Sequence, residues 1–252
     1  ATYIIMDVID GPELTDFIHR HPGHRLPPKT ARQLFCHILS GLRHAHSRGF
    51  LHCDVKPDNI RLYANCETAV LTDWGFARQP GTRTENYMCG TPAYASPEQL
   101  TGYSPDSVTG RHRMCPATDV WSLGVTYFEM VSGTLPFQAE DIHTLIRLVA
   151  ASQYTLPDHV ESDDAALIDL MLRLLPHDRA TVGELCELPV LVATNAITAD
   201  CDTYKVALSS EDDKLPQPDM GEGRWYRTTF QTSKGTKKLL WYLFYGGFCA
   251  PA

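Results

Sequence analysis

The sequence lacks the features that mark several large protein classes. No apolar stretch reaches the roughly 18 residues that a membrane-spanning helix needs. The longest candidate, Leu239 to Phe248, is far too short and contains two glycines. Positive charge is not in excess either: 22 Lys and Arg stand against 30 Asp and Glu, a formal net charge of −8. Such a balance gives no overall attraction to nucleic acid or anionic lipid, so neither nucleic acid nor membrane is expected as a partner. The eight cysteines (Cys36, Cys53, Cys66, Cys89, Cys115, Cys186, Cys201, Cys249) are scattered. They form no CxxC pair and none of the close spacing of zinc modules or disulfide-dense secreted domains. Free thiols in a reducing compartment, cytoplasmic or nuclear, are the expectation. No internal repeat and no secretory leader is visible.

What is present is an ordinary globular composition, 43% hydrophobic and 21% charged over 252 residues, enough for one or two cores. The chain opens on Ala1 and runs at once into Tyr3-Ile4-Ile5-Met6, as if cut inside a strand, so a truncated start is expected. Residues 28 to 48 read as a helix. Pro28 suits the first turn, Ala31, Leu34, Phe35, Ile38, Leu39 and Leu42 recur at helical spacing, and Gly49 can end it. Ile60 to Leu62 and Ala69 to Thr72 flank the polar turn Asn65-Cys66-Glu67, which predicts a small hairpin. From Asp73 to about Pro116 no period is sustained, and the pattern predicts a long ordered loop, a short helix and another loop. Asp119 to Ser132 is apolar on nearly every face and predicts a central buried helix stopped by Gly133. Ile142 to Ala151 and Ala165 to Leu175 predict two amphipathic helices, and Thr181 with Glu184 a capping box opening a last short one. Ser209 to Gly223 reads as a polar linker, and the aromatic stretch Trp241 to Phe248 has no assigned place.

The segment His52-Cys53-Asp54-Val55-Lys56-Pro57-Asp58-Asn59 is followed, fourteen residues after Asn59, by Asp73-Trp74-Gly75. Gly90-Thr91-Pro92, Ser96-Pro97-Glu98 and Asp119-Val120-Trp121-Ser122-Leu123-Gly124 come next. In order and spacing these motifs resemble the eukaryotic protein kinase family over roughly residues 3 to 192. The resemblance implies a mainly α fold: the kinase C-lobe, a helical bundle with short β-hairpins, with the N-lobe absent. Residues 1–194 would form the kinase domain (hinge and C-lobe) and 195–252 a C-terminal extension, partly disordered or unassigned. It implies ATP and Mg²⁺ as cofactors, and protein substrates with Ser or Thr acceptors. Asp54 would accept or orient the proton of the attacking hydroxyl. Lys56 would neutralise charge on the transferring phosphoryl, and Asn59 and Asp73 would give hard oxygen ligands to Mg²⁺. Met6, Asp7 and Ile9 resemble the hinge that meets adenine, with Glu13 at the ribose or substrate position and Arg61 under the adenine. His52 would be a packed imidazole stacked near Trp74, and Asp119 would cap the central helix and bond the catalytic-loop backbone. Glu98 and Arg179 match the family pair that ties the activation segment to the late helices. Lys56 and Thr91 favour the serine/threonine type. Glu13, Asp58 and Glu129 occupy positions that receive substrate arginines in basic-directed relatives; the other reading is a solvated acidic surface.

Departures from the pattern carry their own expectations. Cys53 replaces the arginine that grips a phosphate on the activation segment, so weak dependence on phosphorylation at Thr82, Thr84 or Tyr87 is expected, with Arg78 or Arg83 as substitutes. Arg61 replaces an apolar residue, and its guanidinium is expected to reach solvent at some cost in nucleotide affinity. The stretch around Arg111, His112 and Arg113 reads as an exposed insertion. No glycine-rich loop, strand lysine or helix glutamate precedes Ala1, and Lys205-Val206-Ala207 and Gly221-Glu222-Gly223 lie in the wrong order to replace them. The isolated chain is therefore expected to be catalytically incomplete. The alternative is a catalytically inactive lobe or pseudokinase scaffold that binds protein partners.

Overall fold

The computed structural model describes residues 8–81, 90–102 and 114–194, and the backbone of 224–231 and 237–244. Two compact units are present, Ile9–Thr198 and a second of Ala1–Val8 with Ala199–Ala252. The first is mainly helical. Its elements are α1 (Leu14–Arg20), α2 (Pro28–Ser47), the antiparallel strands β1 (Ile60–Leu62) and β2 (Ala69–Leu71), then α3 (Pro97–Thr101) and α4 (Pro116–Ser132). It continues with α5 (Ile142–Ala151), α6 (Ser162–Met171), α7 (Val182–Cys186) and α8 (Pro189–Val192). Among the described residues, no helix is long and apolar enough to cross a membrane.

The core forms where the apolar stripe of α2 meets α4. Leu34, Phe35, Ile38, Leu39 and Leu42 are buried on α2, while α4 is buried on nearly every side, Trp121 and Tyr127 included. Phe35 lies 4.7 Å from Tyr127 between ring centroids, and Trp121 stacks on Phe137 at 5.7 Å. Because α4 has so little solvent-facing surface, its position is determined by packing from all directions. In the hairpin, Ile60 pairs with Leu71 and Leu62 with Ala69. These four are buried, so the pleat turns Arg61 and Val70 to the opposite, less buried face.

Three sequence expectations need correction. The central helix starts at Pro116, not at Asp119; Cys115 is its N-cap, so Asp119 sits inside the first turn and does not cap. Helix α6 runs from Ser162 to Met171 and not from Ala165 to Leu175. Asp163 and Asp164 favour the earlier start beside the positive end of the helix dipole. The segment after Met171 leaves the helix because Arg179 takes its carbonyls: Nε donates to Arg173 O at 2.8 Å and Nη2 to Leu174 O at 3.0 Å. In the second unit, β3 (Arg224–Gln231) pairs antiparallel with β4 (Lys237–Phe244), in register from Arg224 opposite Phe244 to Gln231 opposite Lys237. Part of the unassigned aromatic stretch therefore lies in a strand, as its composition of Leu, Trp, Tyr and Phe favours. The polar stretch from Ser209 to Gly223 lies outside the described residues.

Arg179 also ties α3 to the late helices. Nη1 and Nη2 donate to the two carboxylate oxygens of Glu98 at 2.6 and 2.8 Å, and Nη1 also to Ala117 O at 2.9 Å. With the two carbonyl contacts above, all five N–H groups of the guanidinium are used, and its carbon lies 4.9 Å from the centre of the Trp121 ring. Both partners are almost fully buried. Arg179→Met leaves the Glu98 charge buried and unpaired, and is expected to cost about 3–5 kcal/mol in urea unfolding. An unchanged unfolding free energy would contradict this account.

Candidate active site

Beyond α2, Leu51 exchanges backbone hydrogen bonds with Arg78, its N–H donating to Arg78 O at 2.8 Å and its carbonyl accepting the return bond at 3.0 Å. The next two residues are held by one carboxylate. Asp119 Oδ2 accepts from His52 N at 2.9 Å and from His46 Nε2 at 2.7 Å, and Oδ1 accepts from Cys53 N at 2.7 Å. Cys53 takes the left-handed conformation, φ 67°, a turn that a non-glycine residue keeps only when its surroundings enforce it.

That turn presents Asp54. Its Oδ1 accepts from the backbone N–H of Thr91 at 2.8 Å, and Oδ2 accepts from Asn59 Nδ2 at 2.8 Å. Lys56 Nζ is 3.4 Å from Oδ2 and donates to Thr91 Oγ1 at 2.5 Å. Gly90 permits this approach: its φ is 88°, and a Cβ there would come within 2.7 Å of Cys53 O and 3.1 Å of Asp54 Oδ1. Asn59 also donates Nδ2 to the carbonyl of Asp54 at 2.8 Å. Its amide oxygen is thereby turned away, without a protein donor among the described residues. Thr72 donates both its N–H and Oγ1 to Asn59 O, at 2.8 and 3.0 Å, which brings Asp73 beside this loop. Asp73 is exposed, left-handed at φ 56°, and accepts from Gly75 N at 3.2 Å. Asp54, Lys56, Asn59 and Asp73 thus fall in one neighbourhood.

His52 is the imidazole of this neighbourhood, and both ring nitrogens are engaged. Nε2 donates to Thr72 O at 2.9 Å, while Nδ1 accepts from Asp54 N at 3.3 Å, a pattern only the neutral ring satisfies. Burial pushes its pKa down, against the upward pull of Asp119, Asp54 and Asp73. Its ring meets Trp74 edge-on at 4.6 Å. A proton shuttle is excluded by this geometry; His52 is a packed spacer between the loop bearing Asp54 and the loop bearing Asp73.

On the nucleotide side, Met6 and Asp7 lie outside the described residues, as do Thr82, Arg83, Thr84, Tyr87 and the stretch from Arg111 to Arg113. Ile9 is partly buried. Arg61 reaches solvent, its side chain 41% exposed, and is paired there: Nη1 bonds Glu13 Oε1 at 3.1 Å and Nη2 donates to Gly11 O at 3.4 Å. Glu129 accepts from Tyr94 Oη at 2.6 Å, and Asp58 is exposed. Thr72, Tyr94 and His46 are site residues that the sequence does not single out. Their roles depend on backbone proximity across distant segments, for which spacing gives no sign.

A profile of the protein kinase domain matches residues 1–191. The chain belongs to the protein kinase family. It is 33% identical over 199 residues to a probable serine/threonine-protein kinase MARK-A of Dictyostelium discoideum, covering 78% of this chain and 18% of that protein. It is 33% identical to sperm motility kinase 2B of Mus musculus, over 79% of this chain and 39% of the relative. To the SNF-related serine/threonine-protein kinase of Homo sapiens it is also 33% identical, over 73% of this chain and 23% of the relative. The chain therefore spans well under half the length of these relatives.

The family uses ATP with Mg²⁺, and the donors here suit that ion. The Asn59 amide oxygen and the Asp73 carboxylate are hard oxygens, and a pair of protein ligands fits an ion that keeps several waters. No group of three or more His, Cys, Asp or Glu side chains among the described residues could hold a metal instead.

The neutral state of His52 gives a pH prediction. In the unfolded chain it takes up a proton as pH falls through its ordinary value of 6.5; in the fold, burial withholds that proton. The unfolded state then binds more protons, so stability is retained above this window and falls on acidification through it. His37 and His44 are shifted in the same direction by burial. His52→Gln should reduce the slope of unfolding free energy against pH between about pH 7.5 and 5.5, by at most about 1.4 kcal/mol per pH unit. An unaltered slope would mean that the buried ring protonates as readily as the unfolded one.

Proposed function

We propose that this chain carries the catalytic and metal-binding loops of a protein serine/threonine kinase, moving the γ-phosphoryl of ATP to Ser or Thr hydroxyls of proteins. The observation that carries the reading is the Asp54 carboxylate, oriented by Thr91 N–H and Asn59 with Lys56 alongside. Residues 1–194 are taken as the catalytic part and 195–252 as an extension to it. The thiols of Cys36, Cys66 and Cys115 are in keeping with a reducing compartment, cytoplasmic or nuclear.

In this reading the acceptor hydroxyl lies against Asp54, which orients its lone pair toward the phosphorus and receives its proton as the new O–P bond forms and the bond to the ADP oxygen breaks. Lys56 supplies fixed positive charge at the place where the transferring group sits. Asn59 and Asp73 would hold the metal, which when bound neutralises phosphate charge. Glu13, Ile9 and the stem of Arg61 would line the nucleotide side with Met6 and Asp7, and the Arg61–Glu13 pair must rearrange there, lowering nucleotide affinity.

We extend the reading to a preference for Arg upstream of the acceptor. Burial and nearby Asp58 push the Glu129 pKa up, against the Tyr94 hydrogen bond and nearby His19, and Asp58 beside it adds a second carboxylate to the same surface. A substrate guanidinium would pair with them. Cys53 in place of a phosphate-gripping cation supports weak dependence on loop phosphorylation.

The test is transfer from radiolabelled ATP with Mg²⁺ to a Ser/Thr peptide array, comparing the parent with Asp54→Asn. The expected outcome is slow transfer, in line with a chain expected to be catalytically incomplete, favouring peptides with upstream Arg and reduced at least about 100-fold by Asp54→Asn. Transfer that survives this substitution contradicts the assignment of Asp54, and an array without basic preference contradicts the specificity.

A further inference from the structure

The peptide joining Cys53 to Asp54 is the last rigid unit before the catalytic side chain, and each of its polar groups has a partner. Its N–H goes to His52 Nδ1. Its carbonyl, Cys53 O, accepts from Gln99 Nε2 at 3.2 Å. Gln99 lies on α3, is 1% exposed, and uses the other end of its amide to close a capping box: Oε1 accepts from Ser96 N at 2.9 Å while Ser96 Oγ accepts from Gln99 N at 3.3 Å. One buried amide therefore bridges the start of α3 and the carbonyl that sets the plane of Asp54. Its neighbour Glu98 anchors α3 to Arg179, so this helix is not free to follow the loop.

From this geometry we infer that Gln99 is a positioning residue for Asp54, transmitting the placement of α3 to the catalytic loop through the Cys53 carbonyl. The inference rests on the reading of Asp54 as the catalytic acid–base, but the contact itself does not. The left-handed turn at Cys53 is held at its N–H by Asp119 and at its C=O by Gln99. Without Gln99 the Cys53–Asp54 peptide keeps only the 3.3 Å bond from its own N–H to His52 Nδ1, about which it could rotate. Rotation would carry Asp54 away from Thr91 and Asn59, which are placed by other segments.

Gln99→Glu separates the two jobs of this side chain. A glutamate at the third helical position still accepts from Ser96 N, so the capping box and α3 remain. It cannot donate to Cys53 O while ionised. Hydrogen–deuterium exchange of the full chain, read by mass spectrometry, should show the peptide carrying residues 53–59 exchanging about fivefold faster in Gln99→Glu, with α3 and α4 unchanged. Acidification that protonates the introduced carboxylate restores an O–H donor and should bring the loop back toward parent protection after correction for intrinsic rates. Where transfer is measured, kcat should fall by a similar factor with KM for ATP unchanged. Loop exchange equal to that of the parent, or a rise shared equally by α3, overturns the inference. A parent that transfers no phosphate contradicts the kinase reading instead, and the exchange result still decides the role of Gln99.

Discussion

Three donors converge on the carboxylate of Asp119: the ring nitrogen of His46 from α2 and the successive backbone N–H groups of His52 and Cys53. A fully buried carboxylate is costly unless its lone pairs are met, and here they are met by the groups whose placement determines the loop bearing Asp54. Its position in the first turn of the 17-residue helix α4 adds the favourable end of the helix dipole. Because α4 is packed on nearly every side, the carboxylate is a fixed point of the core. The strained turn at Cys53 is stable because it hangs from that point.

The remaining contacts reach Asp54 from separate directions. Thr91 and Gly90 approach from the segment before α3, Asn59 from the short helical turn after Pro57, and Thr72 links Asn59 to the loop bearing Asp73. Glu98 and Arg179 anchor α3 to the segment between α6 and α7. A hydroxyl, a metal and a phosphate could be brought together at such a place only if these segments keep their register. The buried polar network is what maintains it.

Much of this was legible from residues in order. The apolar rhythm of α2, the hairpin of β1 and β2, the limits of α5 and the Thr181–Glu184 box follow local rules, and the structure has them close to where those rules put them. The motifs around Asp54, Asn59 and Asp73 declared the family because several short patterns had to match together. What the sequence concealed was set by distant partners. Helix α6 ends early because Arg179 binds the carbonyls beyond it, and Arg61 turns to Glu13 because the strand pleat places it on that face. The short α1 and α8 carry too few turns for a period to show, and Gln99 looks like any helix-capping residue until the Cys53 carbonyl is found beside it.

The central claim is that the Asp119 carboxylate holds the loop bearing Asp54 in place, and Asp119→Asn tests it with almost no change in volume. An amide offers one acceptor oxygen where the carboxylate offered two, and it turns a donor toward groups that are themselves donors. Residue-resolved exchange by NMR should show the His52 and Cys53 amides losing about tenfold to a hundredfold of their protection, with the core of α4 retaining its own. Protection at both amides equal to that of the parent would contradict the account.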